Sequence, residues 1–169
     1  MKRLLLAAVL SLLAAGSAMA QTVILVRHAE KVDQSADPVL SEAGQARAAA
    51  LATSLADAPP GVIFVSPLQR TALTAAPTAA AHSLTPEVFT LAGGGAAHVA
   101  AIAERIHALP EDAVVLVVGH SNTIPLIARA LGYEAADMPD CEYDRLTVLD
   151  IHGGQTHGTV SHYGAASSC

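Results

Sequence analysis

The chain has no tryptophan, and aromatic residues make up only 3% of its 169 positions. That leaves few flat surfaces on which bases could stack, so single-stranded nucleic acid is a poor partner. Basic residues are also scarce, 9 against 15 acidic, and two of them, Lys2 and Arg3, fall in the first three positions. Without that pair 7 face 15, a net charge near −8 with histidine neutral, and such a surface repels phosphate backbones. A small anionic ligand would need a local positive pocket set against the global field. There are two cysteines, Cys141 and Cys169, and no CxxC spacing, which removes support for redox catalysis or a thiolate zinc site. Internal repeats, low-complexity linkers and composition breaks are absent as well, so one domain is expected. With 52% hydrophobic residues the chain is long enough to bury a sizeable core.

The start reads as a cleaved export signal. Lys2-Arg3 forms its basic region, Leu4 to Ala15 its apolar region, and Ala18-Met19-Ala20 a small-residue cleavage site. The first mature residue would be Gln21, and the expected location is periplasmic or extracellular. The rival reading is an uncleaved anchor spanning from Arg3 to Arg27; Gly16-Ser17 and Gln21-Thr22 interrupt it, and Val23 to Val26 are wanted as a strand. No membrane anchor is expected after cleavage. Two cysteines in an exported chain fit one disulfide, Cys141 to Cys169, although the sequence equally permits two free thiols.

Hydrophobic patterning predicts alternating strands and helices. Thr22 to Val26 reads as a buried strand, followed by a polar loop over Val32 to Val39. A helix should start at Ser41, with Glu42 in its first turn and a stripe of Ala48, Leu51, Ala52 and Leu55, and end at Pro59-Pro60-Gly61. Val62 to Val65 is a short apolar strand. Ser66 and Pro67 then suit the cap and first position of a helix that places Arg70 in its first turn and runs to His82, with a kink or break at Pro77. Glu87 to Leu91 is a third strand and Gly93-Gly94-Gly95 a flexible loop; Val99, Ile102, Ala103 and Ile106 mark the next helix. Ala113 to Val118 is the central strand, Thr123 to Leu131 the helix behind it, stopped by Gly132. Leu146 to Ile151 and Thr156 to His162 should pair antiparallel across Gly153-Gly154. The fold class is α/β, a three-layer α/β/α sandwich with a mostly parallel central sheet.

Three strand-to-helix junctions carry the chemistry: Arg27-His28, Arg70 and His120. In a parallel sheet such junctions share one edge, where ligands bind. Guanidinium forks match the paired oxygens of phosphate, and helix amino ends add backbone donors. Two arginines and two histidines together describe a phosphate pocket with a nucleophile in it. Isolated histidines elsewhere, His82, His98 and His107, are read as ordinary polar groups. His152, His157 and His162 recur every five residues, but without cysteine or a close ligand pair they do not make a convincing metal clip.

These motifs resemble the histidine phosphatase superfamily, in its phosphoglycerate-mutase-like branch. Arg27-His28-Ala29 matches the Arg-His-Gly signature; Ser66, Arg70, Thr71, Thr74 and Ala75 match the second-arginine segment; His120 in Val118-Gly119-His120-Ser121-Asn122 matches the second histidine. The likeness extends from Val23 to about Ile151 and implies that fold. It also implies phosphoryl transfer through a phosphohistidine on His28, with Arg27, Arg70 and His120 holding the non-bridging oxygens and no metal or cofactor required. Ser121 and Glu30 are further substrate-contact candidates. The resemblance implies a neutral His28 and favours a protonated His120.

A general acid is not evident, because Ala92 to Val99 holds no carboxylate and Ser121 stands where the acid-phosphatase branch has Asp. Glu30, Asp33 and Glu87 are the candidates. The expected function is a metal-independent phosphatase for a small phosphorylated substrate. The alternatives are a phosphohistidine-protein phosphatase and, in another class, a non-catalytic module that binds phosphorylated ligands. Substrate choice is expected to lie in the loops Val32 to Val39 and Ala92 to Val99. Oligomeric state is left open.

Overall fold

The computed structural model describes residues 20–169. Of the expected leader, residues 1–20, all but Ala20 lies outside them. Among the described residues no helix is long and apolar enough to cross a membrane.

Six strands form one sheet in the order β3-β2-β4-β1-β5-β6. They are β1 (Gln21–Arg27), β2 (Val62–Val65), β3 (Glu87–Val88), β4 (Val114–Gly119), β5 (Arg145–His152) and β6 (Gln155–His162). The first four are parallel, β5 pairs antiparallel with β1, and β6 antiparallel with β5, so β5 alone runs against the rest. Helices α1 (Glu42–Ser54) and α2 (Gln69–Ala81) cover one face, α3 (Gly94–His107) and α4 (Ile124–Ala130) the other. Strand alternation divides the core accordingly. Ile24, Val26, Leu116 and Val118 pack with Leu51, Leu55, Ala75 and Ala79 of α1 and the α2 side. Val23, Leu25, Val115 and Val117 pack with Ile102, Ile106 and Ile127 of α3 and α4. Continuous apolar runs in β1 and β4 follow from that double burial. This is the three-layer α/β/α architecture with a mostly parallel sheet.

Local expectations hold at most element ends. Ser41 caps α1, its hydroxyl accepting from the Gly44 amide at 3.1 Å. Gly132 takes φ +90° just after α4, and Gly153 and Gly154, both at positive φ, make the two-residue turn between β5 and β6. Gly44 must lack a side chain, since a Cβ there would run into the Glu30 carbonyl.

Four expectations are corrected. Ser66 does not cap α2; the helix begins at Gln69, whose amide donates to the Asp37 carboxylate at 2.8 Å, and Ser66 is used elsewhere. Of the kink or break expected at Pro77, the break does not occur, since Pro77 lies inside α2. Strand β3 is two residues long because its partner β2 stops at Val65, and Phe89 N donates to Val65 O as the last rung. Gly94 and Gly95 open α3 instead of forming a loop, with Gly93 and Gly94 at φ +89° and +84° turning the chain into it.

Cys141 and Cys169 are joined, with Cα atoms 5.2 Å apart. Closing a loop of separation 28 stabilises the fold by about 3 to 4 kcal/mol in the chain-entropy model. Glu30, a substrate-contact candidate in the sequence, is engaged within the fold. Its carboxylate takes hydrogen bonds of 2.7 to 3.0 Å from Nε and Nη2 of Arg47, a side chain only 4% exposed. Arg47 Nη1 donates to Tyr163 O, tying α1 to the end of β6.

Removing one partner of a buried pair leaves the other charge uncompensated. Glu30→Ala is therefore expected to lower unfolding free energy by about 3 kcal/mol in urea titration. If Glu30 touched substrate instead, stability would hold and KM would rise.

Candidate active site

The register of three parallel strands builds the site. Arg27 of β1 lies beside Gly119 of β4, and Val65 of β2 beside Val118. The next residues in each chain, His28, His120 and Ser66, therefore leave the sheet together, and His28 N donates to Gly119 O at 2.9 Å. Arg70 arrives from the first turn of α2. Its helix is pinned to β1 by Thr74, whose hydroxyl donates to Arg70 O at 2.7 Å and accepts from Ala29 N at 2.9 Å. Arg27, His28, Arg70 and His120 line one cleft of about 340 Å³, together with Lys31, Gln34, Ser121, Asn122, Asp140 and Tyr143.

His28 is 4% exposed, and its Nδ1 lies 2.9 Å from Ala29 O. A carbonyl can only accept, so Nδ1 carries the proton and Nε2 keeps its lone pair. Burial first, then Arg27 and Arg70, push the His28 pKa down to about 4. The ring is neutral at pH 7 and nucleophilic at Nε2. His120 lies with its ring centroid 5.3 Å from that of His28. Burial, then the neighbouring His28 and Arg70, push it down to about 3. In the ligand-free protein the ring is therefore neutral. Its Nε2 is 3.0 Å from Ser66 Oγ, which is 3.1 Å from Thr71 Oγ1, which is 2.8 Å from Leu68 O. A single donor direction satisfies this chain, from Nε2-H through Ser66 and Thr71 to the carbonyl, and leaves Nδ1 as the acceptor of the neutral ring.

The arginines are held in two ways. Arg27 is 4% exposed; its Nη1 donates to the carbonyls of Pro139, Asp140 and Glu142 at 3.3, 2.7 and 3.1 Å, and its guanidinium carbon sits 4.1 Å from the centre of the Tyr143 ring. Its Nε, and both Nε and Nη1 of Arg70, are buried donors with no acceptor among the described residues. Buried donors are normally paired, and three orphans on two guanidinium groups beside a nucleophilic imidazole match the oxygens of a phosphoryl group. Burial lowers the pKa of both arginines, yet a guanidinium stays charged at any working pH.

None of the expected acids reaches the cleft. Glu30 serves Arg47, Asp33 accepts from Ser35 N at the surface, and Glu87 pairs with Arg105. The carboxylate lining the cleft is Asp140, which the sequence did not single out. Its Oδ1 accepts from Ser121 Oγ at 2.7 Å and lies 3.8 Å from Arg27 Nη2; that hydrogen bond and the Arg27 charge hold it below the usual carboxylate range. Segment 139–143 thus takes the place expected for Ala92 to Val99, which does not line the cleft. Cys141 was the available clue, because a tethered cysteine marks a segment whose path matters.

The spaced histidines do not converge. In the β5–β6 ladder His152, His157 and His162 sit opposite Gln155, Asp150 and Arg145. Glu142, Asp144 and His162 do bring ligand atoms within 4.8 Å of one another. Their carboxylates are already engaged, Glu142 by Arg145 at 2.6 and 2.8 Å and Asp144 by Ser167 at 2.6 and 3.1 Å.

Residues 23–90 match the histidine phosphatase superfamily (branch 1). No curated protein matches the chain in sequence. Among solved structures, a proposed phosphohistidine phosphatase SixA from Nakamurella multipartitia is 26% identical with a TM-score of 0.60, covering 88% of this chain and 98% of that one. A mycobacterial glucosyl-3-phosphoglycerate phosphatase, Rv2419c in complex with VO3, is 20% identical with a TM-score of 0.62, covering 86% and 99%. A proposed alpha-ribazole-5'-P phosphatase from Escherichia coli is 17% identical with a TM-score of 0.64, covering 89% and 99%. The matched stretch carries Arg27, His28 and Arg70, and the remainder supplies His120 and completes the same fold; the chain is thus similar to the histidine phosphatase superfamily, and the match and its phosphatase neighbours support hydrolysis of phosphate esters.

Proposed function

We propose that the protein is an exported, metal-independent phosphatase that works through a phosphohistidine on His28. The observation that carries this reading is the pairing of an uncommitted Nε2 lone pair on His28 with three orphaned guanidinium donors on Arg27 and Arg70. His28 Nε2 attacks phosphorus, the P–N bond forms as the ester P–O bond breaks, and the leaving oxygen departs opposite the imidazole. Arg27 and Arg70 neutralise charge as it spreads over the non-bridging oxygens, and His120 takes up a proton from solvent when a phosphoryl dianion binds beside it. Water then attacks the phosphohistidine, breaking the P–N bond and returning His28.

Asp140 shapes the substrate range. Ionised in the free protein, it is placed to accept a proton from the attacking water and poorly suited to give one to an alkoxide. Substrates with good leaving groups, such as aryl phosphates and phosphoramidates, are favoured over simple sugar phosphates. A second reading, hydrolysis of protein phosphohistidine, draws on the same absence of a ready acid and on the structural likeness to the proposed SixA protein. Export rests on the reading of residues 1–20 as a cleaved signal.

With an aryl phosphate in EDTA, turnover should persist in the wild type and fall to background in His28→Ala. Arg70→Ala should lose about two to three orders of magnitude in kcat. Acid quench during turnover should trap labelled phosphate on His28; label on another residue would reject it as the nucleophile. A panel of aryl phosphate, sugar phosphate and phosphohistidine peptide separates the two substrate readings, and phosphate binding without turnover on any member would favour a binding module.

Ring NMR gives an independent check. His28 and His120 should remain neutral at pH 5.5, with midpoints near 4 and 3, and saturating orthophosphate should move both upward. Because unfolded imidazoles titrate at about 6.5, the unfolded chain binds these protons more readily than the folded one. The two rings therefore contribute stability above that pH that is lost as pH falls towards their folded values. Midpoints of both near 6.5 would contradict the buried, neutral assignment.

A further inference from the structure

The hydrogen bonds that aim the Arg27 guanidinium go to main chain. All three acceptors of its Nη1 are carbonyls of residues 139–142, so no single side chain in that segment supplies them; they depend on its path. The segment lies outside any helix or strand, with Pro139, Asp140 and Cys141 exposed. Its path is fixed from the far end of the chain. After β6 the backbone is anchored at buried Tyr163, which receives Arg47 Nη1 on its carbonyl and whose own amide donates to Asp144 O. Gly164 at φ +68° then turns the tail back along 141–144. Ser167 Oγ accepts from the amides of Tyr143 and Asp144 at 2.8 and 3.1 Å and donates to the Asp144 carboxylate at 2.6 Å. Ser167 N donates to the same carboxylate, and Cys169 is bonded to Cys141. The contacts alternate with the site: Asp140 and Tyr143 line the cleft, while Cys141 and the amides of 143 and 144 face the tail.

We propose that the C-terminal strap, residues 164–169, is a positioning element of the active site: through the Cys141–Cys169 bond and Ser167 it holds the carbonyl cradle that aims Arg27 at phosphate. The proposal rests on the phosphate-site reading above. A guanidinium that loses its cradle keeps its charge but not its direction, and displacements of an ångström in a positioning group are costly in rate. The strap thereby makes phosphate affinity depend on an oxidised cysteine pair at the surface, a dependence suited to an oxidising compartment.

The test compares wild type, Cys141→Ser/Cys169→Ser, Ser167→Ala and, as a control, Arg105→Ala, which removes the Glu87 ion pair away from the cleft. Orthophosphate affinity is measured by calorimetry, kcat and KM with an aryl phosphate, and folding by thermal melting. The double variant should lose about tenfold or more in both orthophosphate affinity and kcat/KM while still melting cooperatively above the assay temperature. Ser167→Ala, with the disulfide intact, should shift the same way by less, and it carries the test if the double variant does not fold. Arg105→Ala should leave both constants unchanged. Strap variants that melt earlier but bind orthophosphate and turn over normally would show a structural role only and overturn the proposal. A wild type that binds orthophosphate without turnover would fail the phosphatase reading and leave the strap to be judged on affinity. A wild type that binds none would overturn both.

Discussion

Two guanidinium groups and two imidazoles are packed at one sheet edge with only an exposed carboxylate beside them, and the rest of the molecule is arranged around the cost of keeping them there. Desolvating like charges is unfavourable, and the structure meets it by different means at each group. The imidazoles give up their protons, their pKa values pushed to about 4 and 3. Arginine cannot do that, so Arg27 is wrapped in three carbonyls and an aromatic face, and Arg70 stays half-buried at the start of a helix. The donors left over point to the anion that completes the set.

Precision comes from the layer behind these groups. Thr74 joins the turn after β1 to α2, Ser66 and Thr71 orient His120, and Ala29 O fixes the His28 tautomer. Ser66, whose position suggested a helix cap, is instead the hydrogen-bond partner of an active-site ring. Its capping task passes to Asp37 from the preceding loop, so the order of that loop and the start of α2 are coupled. Glu30 and Arg47 form a second buried anchor that connects the β1 turn, α1 and the end of β6. From there the chain continues into the strap, which reaches the segment whose carbonyls hold Arg27.

The sequence by itself determined the layered fold and four residues of the cleft. Apolar runs that could only be doubly covered strands, caps such as Ser41, and punctuation at Gly132 and Gly153-Gly154 are local signals, and a parallel sheet gathers the strand ends at one edge. Arg27, His28 and His120 were legible because each directly follows such a run, and Arg70 because it falls in the first turn of the helix that follows one. What only the tertiary structure decided is whatever depends on contacts distant in sequence. Glu30 looked like a ligand until Arg47 arrived from α1. The protonation of His120 follows from burial, which one residue in a string does not reveal. Asp140 and Tyr143 enter the cleft from a segment with no periodicity of its own, on a path set by a disulfide and a serine more than twenty residues further on. A pattern of residue types specifies where a strand ends; which side chain faces which across the cleft is settled by packing, because the same carboxylate stabilises an arginine or serves a substrate according to what lies within 3 Å of it.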